Sequence, residues 1–206
     1  DPQAMAAVSE EIAAVRELGA QVVLVSSGAI AAGRHRLGNL EAGRGDLPTR
    51  QALAAVGQGR LMAVWDELFE LHDVVVAQAL LTRRDLADRR GYLNARQTLL
   101  GLLERGVVPI VNENDVVSSE EIRDSVIGDN DNLSAEVANL VDAELLLILT
   151  DIAGLYTADP RHDPNATLIA EVPRIDAAIE LAAQGTPGER GTGGIADARQ
   201  QPENRV

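Results

Sequence analysis

Cysteine is absent from the 206 residues, and so is lysine: all 18 cations of the Lys/Arg class are arginine. The first absence excludes disulfides and thiolate metal sites. The second excludes the phosphate loop whose lysine reaches the β and γ phosphates of a nucleotide. Aromatic residues make up only 2% of the chain, so any core is built from Leu, Val, Ile and Ala, a mix that favours packed α/β layers. No apolar run has the length of a membrane span. No signal-peptide pattern is visible, which fits a cytoplasmic protein. Positive charge is in short supply, and the formal net charge of −14 disfavours nucleic acid and anionic membrane as partners. The three histidines, His35, His72 and His162, are scattered and lack metal-ligand spacing.

What is present is a chain that is 46% hydrophobic and of a length suited to one domain or a large part of one. Met5 to Leu18 carries apolar residues at helical spacing, and Gly19 stops the pattern. Gln21 to Ser26 ("QVVLVS") predicts a strand buried on both faces, and "SGAIAAGRHRLG" opens a helix. A glycine-rich loop closed by Pro48 precedes a long helix over Thr49 to His72. Val74 to Leu80 predicts a second strand, Asp85 to Arg105 a helix in two pieces, and Val107 to Val111 a third strand. Val116 to Ile127 is polar. Leu133 to Val141 predicts a helix, and Glu144 to Leu149 ("ELLLIL") a fourth strand. A turn-rich excursion comes next, then a short strand over Thr167 to Val172 and a helix over Ile175 to Ala183. Alternating helices and strands predict an α/β fold, a three-layer αβα sandwich with a mostly parallel central sheet.

Ligands of such sheets bind outside the carboxyl ends of the strands, so the residues just after each strand matter most. The first strand runs into Ser26-Ser27-Gly28. There Ser27 is a candidate helix cap, and the helix start is a candidate anion site. The third runs into Asn112-Glu113-Asn114-Asp115, more polar groups than one Asx turn needs. The fourth runs into Thr150-Asp151; taken alone Asp151 reads better as a turn starter, and its value as a site acid is positional, at the same sheet edge as the other two polar strand ends. "GDNDNLSAEVANL", from Gly128, fails as a calcium loop: its sixth position from Asp129 is Ser134, not Gly, and its twelfth is Leu140, not Glu. A plain N-cap needs one polar residue, and here there are four. Asn130 offers a donor and an acceptor suited to an amino acid's ammonium and carboxylate. Asp131 suits the orientation of cationic groups or a metal. "GTGGIADAR" from Gly191 matches G-x-G-x-x-A in form only. No strand precedes it and no acid comes after it at the spacing a dinucleotide fold requires. A glycine-rich loop approaching a phosphate and a merely flexible loop both remain open there.

Taken in order, "VSSGAIAAG", "QALAAVGQGRL", "LLTRRDLADRRGYLNAR", "PIVNENDVV", "GDNDNLSA" and "LTDIAGLYTADPR" resemble the glutamate-phosphorylating branch of the amino acid kinase family. The likeness runs from about Val22 to Gly194. It implies phosphorylation of the γ-carboxylate of L-glutamate by ATP with Mg2+, the first step of proline biosynthesis. It implies that Ser27, Asp115 and Asn130 contact glutamate and that Asp131 is the catalytic acid organising cationic groups. It also implies that Thr150 and Asp151 form a nucleotide-site pair and that Gly191, Thr192, Gly193, Gly194, Ile195, Ala196 and Asp197 form the loop over the ATP phosphates. No metal ligand is assigned to the protein itself. A homo-oligomer, dimer or tetramer, and feedback inhibition by proline are implied by the family alone.

The chain departs from that family's pattern. The family's first strand, with its lysine and glycine-rich turn, is not matched. Asp197 replaces a threonine, and Ala198 stands where lysine is expected; Arg199 is one place away, but its planar fork does not reproduce an ammonium. The whole of 1–206 is therefore expected to be a partial amino acid kinase domain, lacking the first strand, the C-terminal strands and any small RNA-binding-like domain. It is expected to transfer phosphate poorly. The competing expectations are a relative acting on carbamate, acetylglutamate, aspartate or a nucleotide, and a non-catalytic module that binds glutamate or proline.

Overall fold

The computed structural model describes residues 1–42, 46–118, 129–150, 153–177 and 179. Its centre is a three-stranded, wholly parallel sheet in the order β1 (Leu24–Val25), β3 (Val108–Glu113), β2 (Val76–Leu81). Val25 pairs with Val111 on one side, and Leu81 pairs with Glu113 on the other. Parallel strands need long crossovers, and helices supply them: α2 (Ala29–Arg36) and α3 (Leu47–Glu70) lead from β1 to β2, and α4 (Arg83–Ala87) and α5 (Arg89–Leu103) from β2 to β3, while α1 (Pro2–Glu17) precedes β1 and α6 (Asp129–Leu140) follows β3.

Every residue of β3 is buried, as expected of a central strand covered on both faces. Its alternation assigns the layers. Val108 and Ile110 join Ala13, Leu61, Trp65 and Phe69 from α1 and α3. Val111 joins Leu99 of α5 and Leu133, Val137 and Leu140 of α6. The result is the expected αβα layering. With four aromatic residues in the chain, the only aromatic pair among the described residues, Trp65–Phe69 at 5.9 Å between ring centres, anchors the first face. The Trp65 indole N–H also donates to the buried Ser26 Oγ at 3.0 Å, giving the ring's polar edge the partner it needs.

Local chemistry sets the helix ends. The Asp1 carboxylate accepts from Gln3 N–H, with Pro2 in the first turn, so α1 starts three residues before the apolar pattern predicts. Asp46 caps α3 through Thr49 N–H, which places Pro48 inside the first turn rather than closing a loop. Thr82 and Asp85 form a reciprocal capping box on α4. Asp88 then ends α4 and caps α5, the division in two anticipated for Asp85 to Arg105. Where α2 and α3 cross, a Cβ on Gly57 would stand 1.8 Å from the Ala29 carbonyl oxygen, and one on Gly33 2.0 Å from that of Leu53. Only glycine lets the two backbones touch there.

Several expectations need correction. The first strand is two residues long, not six; Leu24 and Val25 are half-buried, Leu24 packed against the α1–α3 side of the core and Val25 against the α5–α6 side, and β1 pairs on one side only among the described residues. Glu144 to Leu149 forms no strand. Leu145 is 79% exposed and Leu147 73%: an apolar run supplies a strand's side chains but not the neighbour its backbone must bond to. Thr167 to Val172 is reduced to a single antiparallel bridge, Leu168 to Tyr156. Helix α6 begins at Asp129, not Leu133, so Asn130, Asp131 and Asn132 form its first turn instead of preceding it. Most of the polar Val116 to Ile127 stretch and of the Ile175 to Ala183 helix lies outside the described residues.

Candidate active site

Beyond β1, the chain turns at Ser26-Ser27-Gly28. Ser26 is held in place: its N–H donates to the Val111 carbonyl at 2.9 Å, and its Oγ accepts from Trp65. Gly28 is the residue that caps α2, with φ 112° and no side-chain cap bond. Ser27 is therefore not the cap the sequence predicts. A left-handed glycine turns the chain instead, and Ser27 is left exposed, with its hydroxyl free of any hydrogen bond among the described residues.

Beyond β3, four polar residues stand in succession and are committed differently. Asn112 is 2% exposed. Its Oδ1 accepts from Glu113 N–H at 2.9 Å, and its Nδ2 donates to Gln58 Oε1 of α3 at 2.8 Å. Glu113, 5% exposed, accepts from Ser118 Oγ at 2.9 Å. Asn114 N–H donates to the Leu81 carbonyl, and its own carbonyl takes the N–H groups of Val117 and Ser118. That turn leaves Asp115 half-buried. Since Val25 is level with Val111, Ser27 and Asp115 project from the carboxyl ends of adjacent parallel strands.

Helix α6 packs against β1 and β3 through Leu133, Val137 and Leu140. Arg96 of α5 closes its far end, donating to the Leu140 carbonyl and, at 2.5 Å, to the Asp142 carboxylate. A cation suits a helix C-terminus. At the near end, Asn130 Oδ1 is buried and has no partner among the described residues. Asp131 is half-buried, and its carbonyl accepts from Ser134 Oγ. Glu136 lies further along the same helix. Burial holds its carboxyl above the usual range; Arg83 at the start of α4 pulls it down, and Glu113 at the end of β3 pushes it up.

Thr150 is exposed and comes directly after the unpaired Leu145 to Leu149 run, so no strand of the sheet carries it to the rim. Asp151 and the segment Gly191, Thr192, Gly193, Gly194, Ile195, Ala196, Asp197 lie outside the described residues. Among the described residues no three His, Asp or Glu side chains gather as a metal-binding group. Sequence reasoning singled out neither Gln58 nor Glu136. The only local signal for either is a polar residue set among apolar helix positions, Val56 and Gly57 before one and Val137 after the other.

No helix among the described residues is long and apolar enough to cross a membrane. The sequence profile of the amino acid kinase family matches residues 1–197. The chain is 54% identical over 195 residues to the glutamate 5-kinase of Dehalococcoides mccartyi strain CBDB1, covering 95% of this chain and 52% of that protein. It is 58% identical over 191 residues to the glutamate 5-kinase of Herpetosiphon aurantiacus, covering 93% and 50%. To that of Meiothermus ruber it is 53% identical over 189 residues, covering 92% and 49%. The chain thus spans about half the length of the curated relatives it matches. A parallel sheet layered between helices, polar groups gathered where its strands end, and a profile match over nearly the whole length together make this chain a member of the amino acid kinase family.

Proposed function

We propose that the protein carrying this chain uses ATP to phosphorylate the γ-carboxylate of L-glutamate, giving L-glutamyl 5-phosphate and ADP, the step that opens proline biosynthesis. One observation carries the reading. Ser27 and Asp115 leave adjacent strand ends, with the first turn of α6 and its Asn130 Oδ1, unpartnered among the described residues, on the helix packed against those strands. Ser27 and Asp115 bind the acceptor amino acid together with Asn130, whose buried oxygen suits an ammonium hydrogen. Asp131 orients the cationic groups at the reacting centre. Thr150, Asp151 and the Gly191 to Asp197 loop hold the nucleotide. Residues 1–206 are read as part of one amino acid kinase domain in a cytoplasmic homo-oligomer, a dimer or tetramer, that is open to inhibition by proline.

The chemistry asks little of an acid–base residue. A glutamate carboxylate is already ionised at neutral pH. It attacks the γ-phosphorus; the new bond is O–P, and the bond that breaks joins that phosphorus to ADP. The protein's share is positioning and charge neutralisation. Mg2+ keeps most of its waters and binds mainly through substrate phosphates with one or two carboxylates, so it belongs here with ATP as substrate. Acceptor-dependent ADP release tests the assignment. Glutamate should support turnover, whereas carbamate, acetylglutamate, aspartate and nucleoside monophosphates should not; turnover with one of those in place of glutamate would refute it.

Ala198, at a position where the family pattern has a lysine, favours a second reading, a module that binds glutamate or proline without catalysis. Calorimetric binding of glutamate by a protein that releases no ADP would establish it.

A further inference from the structure

Gln58 Nε2 is a buried hydrogen-bond donor with no partner among the described residues. Its neighbours set the orientation of its amide. Asn112 Oδ1 must face the Glu113 N–H that it accepts at 2.9 Å, so Asn112 turns its Nδ2 toward α3 and donates to Gln58 Oε1 at 2.8 Å. With the acceptor end of Gln58 taken, its NH2 points away from Asn112. Its place in the fold is equally constrained. Gly57 abuts the Ala29 carbonyl at the first turn of α2, immediately after Ser27 and Gly28, while Asn112 lies three residues before Asp115. The spare donor thus sits where α3 meets both the turn after β1 and the turn after β3. Folded proteins rarely leave a buried amide hydrogen unanswered.

We propose that Gln58 Nε2 donates to a carboxylate oxygen of the acceptor amino acid, which makes Gln58 a specificity-determining residue. The proposal rests on the glutamate kinase reading. A carboxylate is the group that fits, because a neutral, geometrically fixed amide donor bonds it without adding a buried charge. Asn112 then serves as the positioning residue that holds Gln58 in that orientation.

The test uses the complete natural protein and two variants, Gln58→Glu and Gln58→Met. Gln58→Glu keeps an oxygen for Asn112 Nδ2 and replaces the donor with an acceptor. Gln58→Met removes both at similar volume. The expected result for each is a rise in glutamate KM of about tenfold to a hundredfold, the range for losing a hydrogen bond to a charged group. The ATP KM and the melting temperature should stay near wild type, and kcat should change by less than the glutamate KM. Unchanged glutamate KM in Gln58→Glu, as expected if an ordered water answers the donor, overturns the assignment of Gln58 while leaving the kinase reading intact. A fall in melting temperature with both KM values rising together in both variants assigns Gln58 to the scaffold and overturns it too. Wild-type protein that releases no ADP with glutamate refutes the kinase reading, and this inference with it.

Discussion

The α2–α3 crossing gives the sharpest test of how the fold holds its site. In Gly57→Ala the new methyl would lie 1.8 Å from the Ala29 carbonyl oxygen, 2.4 Å from Gly33 N and 2.8 Å from Ala29 C. All three are backbone atoms, so no side-chain rotation relieves the clash, and the helices must separate by about 1.5 Å in a close-packed interior. Overpacking of this kind costs about 1–3 kcal/mol, and the backbone contacts put this site at the upper end. Alanine's better helix propensity returns about 0.5–1 kcal/mol. The net loss is about 2 kcal/mol, or about 4–8 °C in Tm for a chain of this size. Gly59→Ala is the internal control: it lies in the same helix, and its added Cβ meets nothing within 4 Å. It should gain about 0.5–1 kcal/mol. Thermal and urea denaturation of the two variants, monitored by circular dichroism, checks both signs. Moving α2 away from α3 also displaces the turn at Ser27 and Gly28, so Gly57→Ala should weaken acceptor binding, which Gly59→Ala should not. Equal stability changes in the two variants would refute the backbone contact and the placement of Gln58 that depends on it.

Three further outcomes are expected. Trp65→Phe strips the buried Ser26 Oγ of its donor and leaves a small cavity, lowering stability by about 2–4 kcal/mol; an unchanged urea midpoint would contradict the buried Trp65–Ser26 bond. Glu136 has its carboxyl pKa raised by burial in the folded state. Its contribution to stability is therefore full below its unfolded value of about 4.5 and is lost as pH rises through the raised value. Glu136→Gln should flatten that part of the stability–pH curve and leave the neutral-pH protein as stable or more so, and a sharp neutral-pH loss would show that Arg83 outweighs burial. Asp115→Asn should raise the glutamate KM about tenfold or more, the effect of losing a charged partner, with Tm nearly unchanged; the opposite pattern would make Asp115 structural.

Much of the fold is legible in the sequence because period is local. The spacing of Leu53, Leu61, Leu68 and their neighbours announces α3, and the run from Val107 to Val111 announces β3; both lie where expected. Helix starts are less legible. Asp1 and Asp46 bond to backbone N–H groups two and three residues ahead, and such caps precede the apolar pattern that reveals a helix. In α6 the polar first turn hides the start altogether, because Asp129 to Asn132 contribute nothing to an apolar stripe.

Residue identities alone fixed which chemistry was available: no thiolate, no lysine, an acidic chain, and short polar side chains after the first and third strands. The tertiary structure decided which of those groups are free to act. Asn112 and Ser26 are consumed by bonds to Gln58 and Trp65, partners 54 and 39 residues away, while Gln58 Nε2 and Asn130 Oδ1 remain unanswered among the described residues. Leu145 to Leu149 read as a strand yet stand exposed. A side chain's composition is written at its own position, but a hydrogen bond or a strand ladder needs a second partner, and only the folded chain determines which partner comes within reach.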